Sequence, residues 1–358
     1  MKFRLAALAA LGATMCTTIC TQCAKEPEES WTDNELMIVK ATIKTYFPKA
    51  TPLNSDSSLW LLEHRKREPN TGATPQPDNY VLFGYRGELL PISRSTIFQT
   101  TDSLDARLLN TFAYTTHYAP IFSLYNSDYM QPAVFALLSQ MHEGDTATVL
   151  SASWHAFGST GATGVAANTP VIVTLALKEV VPDAAARDSL LVLDYVAMRN
   201  ASLHPDSGFV PAVDTAGQPL NGIFVCYADT VPPTDSTGYA STSEVLNLEY
   251  AGYFLDGFLL DSNIGKVSHS FSWDTTATTN GTKYTAYYAH TFSKAPLETT
   301  SIKAFDVALL NVAEGSWVEV VFTSAYGYGS TGSTTTAARI VYPYTPLRFR
   351  IRFVSIKE

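Results

Sequence analysis

The feature that most constrains this chain is a repeat. The stretches "LSASWHAFGSTG" (150–161) and "VFTSAYGYGSTG" (321–332) align without a gap and end alike, Phe-Gly-Ser-Thr-Gly against Tyr-Gly-Ser-Thr-Gly. Upstream, Gly144 lies as far from Phe157 as Gly315 lies from Tyr328. Glycines mark places where the backbone turns in ways other residues resist, so a preserved interval between them implies a preserved strand and loop. The chain therefore holds one folding unit twice, and its 358 residues suffice for two domains of ordinary size. The copies differ at one atom of chemical interest: Tyr328 carries a hydroxyl that Phe157 lacks.

The flanking sequence repeats in the same order. "WTDNELMIVKATIKTYFP" places Leu36, Val39, Ile43 and Phe47 on one helical face, predicting a helix over 34–46 with Thr32 and Glu35 as a capping box and Pro48 as the stop. "SLWLLEHRKREP" and "YVLFGYRGELLP" then read as strands. The second helix, "PDAAARDSLLVLDYVAMRN" (182–200), is followed by strands "GIFVCYAD" and "EVLNLEYAGYFL", so a boundary is expected at 181–182. The units are thus 24–181 and 182–358, the second with a polar and aromatic insertion, 274–300, read as an elaborated loop or hairpin. Each closes with a strand; in "LRFRIRF" Arg348, Arg350 and Arg352 alternate with apolar residues, which predicts one solvated and one core face.

With 46% hydrophobic and 16% charged residues the chain can bury real cores, and a net charge of −9 argues against nucleic-acid binding. The start carries Lys2 and Arg4, then an apolar run to about Ile19, then polar and acidic residues, the pattern of an export signal over 1–23 rather than of a membrane span. Cys23, followed by Ala-Lys-Glu-Pro-Glu-Glu, resembles the acylated cysteine of a Bacteroidetes-type lipoprotein; a plainly cleaved signal is the alternative. Acylation would imply anchoring to the outer membrane, on its periplasmic or surface side, and would leave Cys226 without a disulfide partner.

The motifs "LEYAGYFLDGFLLDSN", "SIKAFDVALLNVAEG", "AYGYGSTG" and "YPYTPLRFRIRFVSI" resemble, in order and spacing, the FKBP-type peptidyl-prolyl isomerases. The resemblance covers about 223–358 and, more weakly, 80–181. It implies an α+β class in which each unit is a twisted antiparallel sheet wrapped on a short helix, here preceded by an N-terminal helix. It places the pocket at Tyr250, Asp261, Phe271, Ile302, Phe305, Tyr328, Val341 and Phe349. Tyr328 and the Ile302 main-chain N–H would position substrate, Asp261 would orient neighbouring groups including the Tyr328 hydroxyl, and Phe305 would be the floor. Tyr85 keeps the first-strand aromatic of the first unit, whereas Gln99, Val134 and Phe157 replace the acid, the floor and the tyrosine, a pattern of a domain kept for its shape.

What the resemblance implies is isomerisation of X–Pro bonds in exported polypeptides, without cofactor or metal, with proline-containing chains as substrates and macrolide-type compounds as further ligands. Residues 182–358 are expected to carry the activity and 24–181 to lack it. The rival is a non-catalytic chaperone or scaffold that binds extended polypeptide. Three departures stand out: Phe305 replaces the usual Trp floor, the loop from Gly332 to Val341 is long, and the insertion borders the pocket; Phe305 and the insertion favour the rival, whereas Asp261, Ile302 and Tyr328 favour the enzyme.

Other chemistries find less support. "GYGSTG" (327–332) fits Gly-x-Gly-x-x-Gly, but neither an amphipathic helix nor a timely acidic residue follows. Phe157 and Tyr328 stand where a nucleophile elbow needs its first glycine, and the seven histidines are scattered, with His142 and His155 read as exposed.

Overall fold

The computed structural model describes residues 30–69, 71–90, 96–202, 208–227, 230, 238–272, 287–294, 302–334 and 339–357. The expected signal and Cys23 lie outside them, as does most of 274–300. No helix among the described residues is long and apolar enough to cross a membrane.

Two seven-stranded antiparallel sheets share one topology. The first contains β1 (Thr51–Pro52), β2 (Leu59–Arg65), β3 (Tyr80–Leu89), β4 (Thr96–Thr100), β5 (Ile121–Leu124), β6 (Thr146–Ser151) and β7 (Val171–Val181), in the order β1-β2-β6-β7-β3-β4 with β5 also on β3. The second contains β8 (Val210–Val213), β9 (Pro219–Cys226), β10 (Val245–Phe254), β11 (Leu259–Ser262), β12 (Tyr288–Thr291), β13 (Trp317–Phe322) and β14 (Leu347–Ile356), ordered β8-β9-β13-β14-β10-β11 with β12 on β10. The repeat seen in two short motifs thus extends to every strand. Each sheet also has a preceding helix, α1 (Trp31–Tyr46) or α4 (Ala184–Ser202), a short helix after β4 or β11, α2 (Ser103–Leu108) or α5 (Gly265–Ser270), and a short packed helix, α3 (Pro132–Leu138) or α6 (Ala304–Leu309).

Alternation decides the faces. In β14 Leu347, Phe349, Ile351 and Phe353 are buried, while the arginines line the opposite face. That face is paired rather than merely wet: Arg348 lies 2.6 Å from Glu319 and Arg352 lies 3.3 Å from Glu249. The core of the second unit places Leu246, Leu248, Phe322 and Phe349 against Phe305 and Leu309 of α6; that of the first sets Leu137, Leu138 and Met141 against Val149, Val173 and Leu175. Burial of such side chains, worth about 1.5–3 kcal/mol each, is the main force holding each sheet to its helix.

Helix α1 begins earlier than its expected start, at Trp31, because Ser30 is the N-cap and accepts a hydrogen bond from the Asp33 N–H. Glu35 therefore closes no capping box with Thr32. It is 3% exposed, and its carboxylate accepts the N–H and the hydroxyl of Ser153, the hydroxyl at 2.8 Å. In the second unit Asp188 of α4 accepts the Ser324 N–H at 2.8 Å. Ser153 and Ser324 are corresponding residues of the repeated motif, so each N-terminal helix uses a buried acid to hold the turn that leads into Phe157 or Tyr328. His155, expected to be exposed, is half-buried within that turn, 2.8 Å from the Ser58 hydroxyl, and burial lowers its pKa. His142 is likewise only part-exposed, its N–H bonded to Asp145.

The motif glycines have a steric reason. Gly161 and Gly332 adopt φ of 67° and 68°, and a Cβ at either would strike the carbonyl oxygen of the loop segment that folds back across it, Val165 or Val341. Only glycine meets both demands cheaply.

Candidate functional site

The site is built where β10, β11, β12, β14, α6 and the repeated loop converge. Tyr250 shares a strand face with Leu246 and Leu248, so its ring turns toward the core. It meets Phe305 edge-on at 5.6 Å and Phe349 at 6.0 Å, and Phe305 meets Phe349 at 5.3 Å. Gly252 permits this packing, because the Phe349 ring occupies the space that a Cβ there would need. The rings enclose a cavity of about 170 Å³ lined by Tyr250, Asp261, Tyr288, His290, Ile302, Phe305, Tyr328 and Phe349.

Six of the eight sequence-derived site residues therefore border one hollow. Phe271 does not: it caps α5 and packs with Tyr253, Ala251 and Leu259. Its place in the wall is taken by Tyr288, 5.6 Å from Tyr250, on β12, a strand that lies inside the 274–300 segment read as an insertion. Local order could not show this, because the strand carrying the wall aromatic sits within the stretch read as an insertion, well beyond α5. Val341 is not on the lining either. It is 3% exposed within the core beneath, bridged to Ser333 by two main-chain hydrogen bonds.

The polar groups are specific in their bonding. One Asp261 oxygen accepts the Tyr250 hydroxyl at 2.7 Å and the other accepts the Ser262 N–H at 2.9 Å. The carboxylate thus orients a neighbouring pocket group, Tyr250, and the Tyr328 hydroxyl is not among its partners. Asn263 straps β11 to β10, accepting from the Tyr250 N–H at 2.7 Å and donating to the Leu248 carbonyl at 2.8 Å. The Tyr328 hydroxyl makes no hydrogen bond among the described residues. Burial, then the Asp261 charge, then Tyr288 raise its pKa; burial does the same to Tyr250, reinforced by the charge and hydrogen bond of Asp261. Both phenols stay protonated at neutral pH, and Tyr328 is a donor awaiting an acceptor.

Two polar residues escaped the sequence reading. His290, on the cavity wall, sets its Nε2 2.8 Å from Oδ1 of Asp306, an α6 residue 2% exposed, which also accepts the Ser293 N–H at 3.0 Å. Their signal lay in the polar interruptions of "YYAHTF" and "AFDVALL", the first read only as insertion and the second only as apolar.

The first unit shows the same scaffold with the site removed. Register pairs Gly87 with Gln99 as it pairs Gly252 with Asp261, so Gln99 does stand at the acid's position. Gln99 is exposed, and the Tyr85 hydroxyl is buried without a partner. Val173 faces Gly87 where Phe349 faces Gly252, and the room gained is filled by Phe98, whose ring covers Gly87 and meets Phe157 edge-on at 5.4 Å.

In chemical terms the second unit offers an aromatic hollow bordered by two phenols, Tyr328 and Tyr288, whose hydroxyls make no hydrogen bond among the described residues. The Ile302 N–H likewise makes no hydrogen bond among the described residues.

No family description matches the chain, and no curated protein matches it. Among solved structures it is similar to the three FKBP domains of wheat FKBP73, at 15% identity over 86% of this chain and 99% of that one, with a TM-score of 0.29. A peptidyl-prolyl cis-trans isomerase from Pseudomonas syringae is similar at 16% identity over 49% and 96%, TM-score 0.31. FkpA from Escherichia coli is similar at 16% over 42% and 62%, TM-score 0.30.

Proposed function

We propose that the second unit is an FKBP-type peptidyl-prolyl cis-trans isomerase acting on X–Pro bonds. The observation that carries this reading is the aromatic hollow at which the Tyr250–Asp261 pair and the unbonded Tyr328 hydroxyl converge. Rotating an X–Pro bond means breaking amide resonance, a barrier of about 18–20 kcal/mol, and needs no nucleophile. The twisted amide is less polar than the planar one, so stripping water from it in an apolar wall of Tyr250, Phe305 and Phe349 lowers the barrier. Tyr328 donates to a carbonyl flanking the proline and the Ile302 N–H donates to a second, so that the substrate is held while one dihedral turns. Tyr288 and His290 complete the wall.

At about 170 Å³ the hollow is smaller than the roughly 300–1,000 Å³ of drug-sized ligand sites, which suits an imino-acid ring better than a macrolide. Export, acylation at Cys23 and polypeptide clients of the cell envelope belong to the same reading. Phe98 favours a second role for the first unit, that of a shape retained without the aromatic hollow.

The test is conversion of an X–Pro peptide from cis to trans, followed by NMR exchange with the full chain. Acceleration that weakens in Tyr328→Phe supports the reading, and a folded chain that leaves the spontaneous rate unchanged refutes it.

A further inference from the structure

The loop after the motif aromatic closes alike in both units, with different residues at its key position. Asn168 donates its N–H to the Gly158 carbonyl at 2.9 Å, and Tyr344 donates to the Gly329 carbonyl at 3.0 Å. Both are left-handed, with φ of 54° and 53°. Asparagine takes that conformation readily, whereas a bulky aromatic resists it. The first unit's loop is held by its own preference; that of the second needs support from elsewhere.

The support comes from the first unit. The Tyr344 ring stands edge-on to Tyr80 at 5.4 Å, and Tyr80 is stacked on Phe122 at 5.1 Å. Tyr342 joins the same apolar cluster. A second grip lies at the turn between β10 and β11, the strands that carry Tyr250 and Asp261. There the His117 ring stacks on Phe254 at 4.1 Å and on Phe258 at 4.6 Å, and its Nε2 lies 2.7 Å from Asp256.

We propose that the first unit is a positioning element for the pocket of the second: Tyr80 holds Tyr344 in its left-handed backbone, Tyr344 holds Gly329, and Gly329 sets the adjoining Tyr328 over the hollow. The site-less copy is in this way part of the working enzyme. The kinetic consequence rests on the isomerase reading; the structural one does not.

The experiment uses the full chain and reads two quantities, amide hydrogen exchange over residues 327–346 and kcat/KM on an X–Pro peptide. Tyr80→Ala should speed exchange of the loop and lower kcat/KM about three- to tenfold, as the competent loop becomes a minor state. Tyr344→Ala, which leaves the first unit untouched, should do the same and guards against a folding defect in the other variant. Tyr80→Phe keeps the ring contact and should match the wild type. Decisive is the double variant Tyr80→Ala/Tyr344→Asn: asparagine holds the left-handed turn unaided, so slow exchange and kcat/KM should both return, which a merely stabilising contact would not produce. Unchanged loop exchange in both alanine variants overturns the proposal. If the wild type lacks isomerase activity yet the exchange pattern appears, the positioning role stands and the isomerase reading falls.

Discussion

Replacing Asp188 by asparagine should flatten the pH dependence of the second unit's stability. One Asp188 oxygen accepts the Ser324 N–H, while Oδ1 is buried without a partner. Burial pushes the carboxyl up from its ordinary 3.8 to about 6, against the opposing pull of the Ser324 bonds and the Arg187 charge. A carboxyl raised in this way keeps its proton in the folded state at pH values where the unfolded chain has released it. Stability therefore falls as pH climbs from about 4 to about 6 and is level above. A shift of about two units corresponds to about 3 kcal/mol in all, of which about 2 kcal/mol is lost between pH 4.5 and 7.5. For a unit of this size that is about 4–8 °C in Tm. Asparagine cannot ionise, so the variant should gain on the wild type by this amount across the interval. Asp56, Asp145 and Asp256, whose pKa values are lowered, act in the opposite sense but equally in both proteins. Differential scanning calorimetry at the two pH values measures the gap. A difference between wild type and variant that stays constant from pH 4.5 to 7.5 would refute the reasoning.

Tyr328→Phe removes one positioning hydrogen bond, worth about 0.5–1.5 kcal/mol, and should slow X–Pro conversion about three- to tenfold without abolishing it; loss of all activity would show the hydroxyl acting in the chemistry itself. Tyr85→Phe deletes a buried hydroxyl that has no partner and should leave the first unit as stable or more stable by about 1 kcal/mol, read from its urea midpoint. Asp306→Ala strands both the His290 Nε2 and the Ser293 N–H and should cost the second unit about 2–3 kcal/mol, seen as a lower urea midpoint at unchanged slope.

Much of the scaffold was legible because it is written in short periods. Alternation in "LRFRIRF" announces a strand with one core face, and the doubled motif announces its own geometry through glycines that no other residue can replace. The grouping of Tyr250, Asp261, Ile302, Phe305, Tyr328 and Phe349 was implied by the family resemblance that their motifs carry in order and spacing. What stayed hidden depends on partners distant in sequence. Glu35 fits a capping box by spacing, yet its carboxylate serves Ser153 across the whole first unit. Phe271 has the right residue type in the wrong element, since it caps helix α5 while the wall is completed by Tyr288 of β12, a strand hidden in the stretch read as an insertion. Phe98 looks like any strand aromatic until the register sets it over Gly87 beside a small Val173.

At one margin of each sheet the edge strand, β1 or β8, is short and contains a proline, Pro52 or Pro211. A proline has no N–H to offer, so a stray extended chain finds no continuous ladder to join along these margins. For a protein whose partners would be incompletely folded polypeptides, that discourages capture by strand addition and runaway co-aggregation.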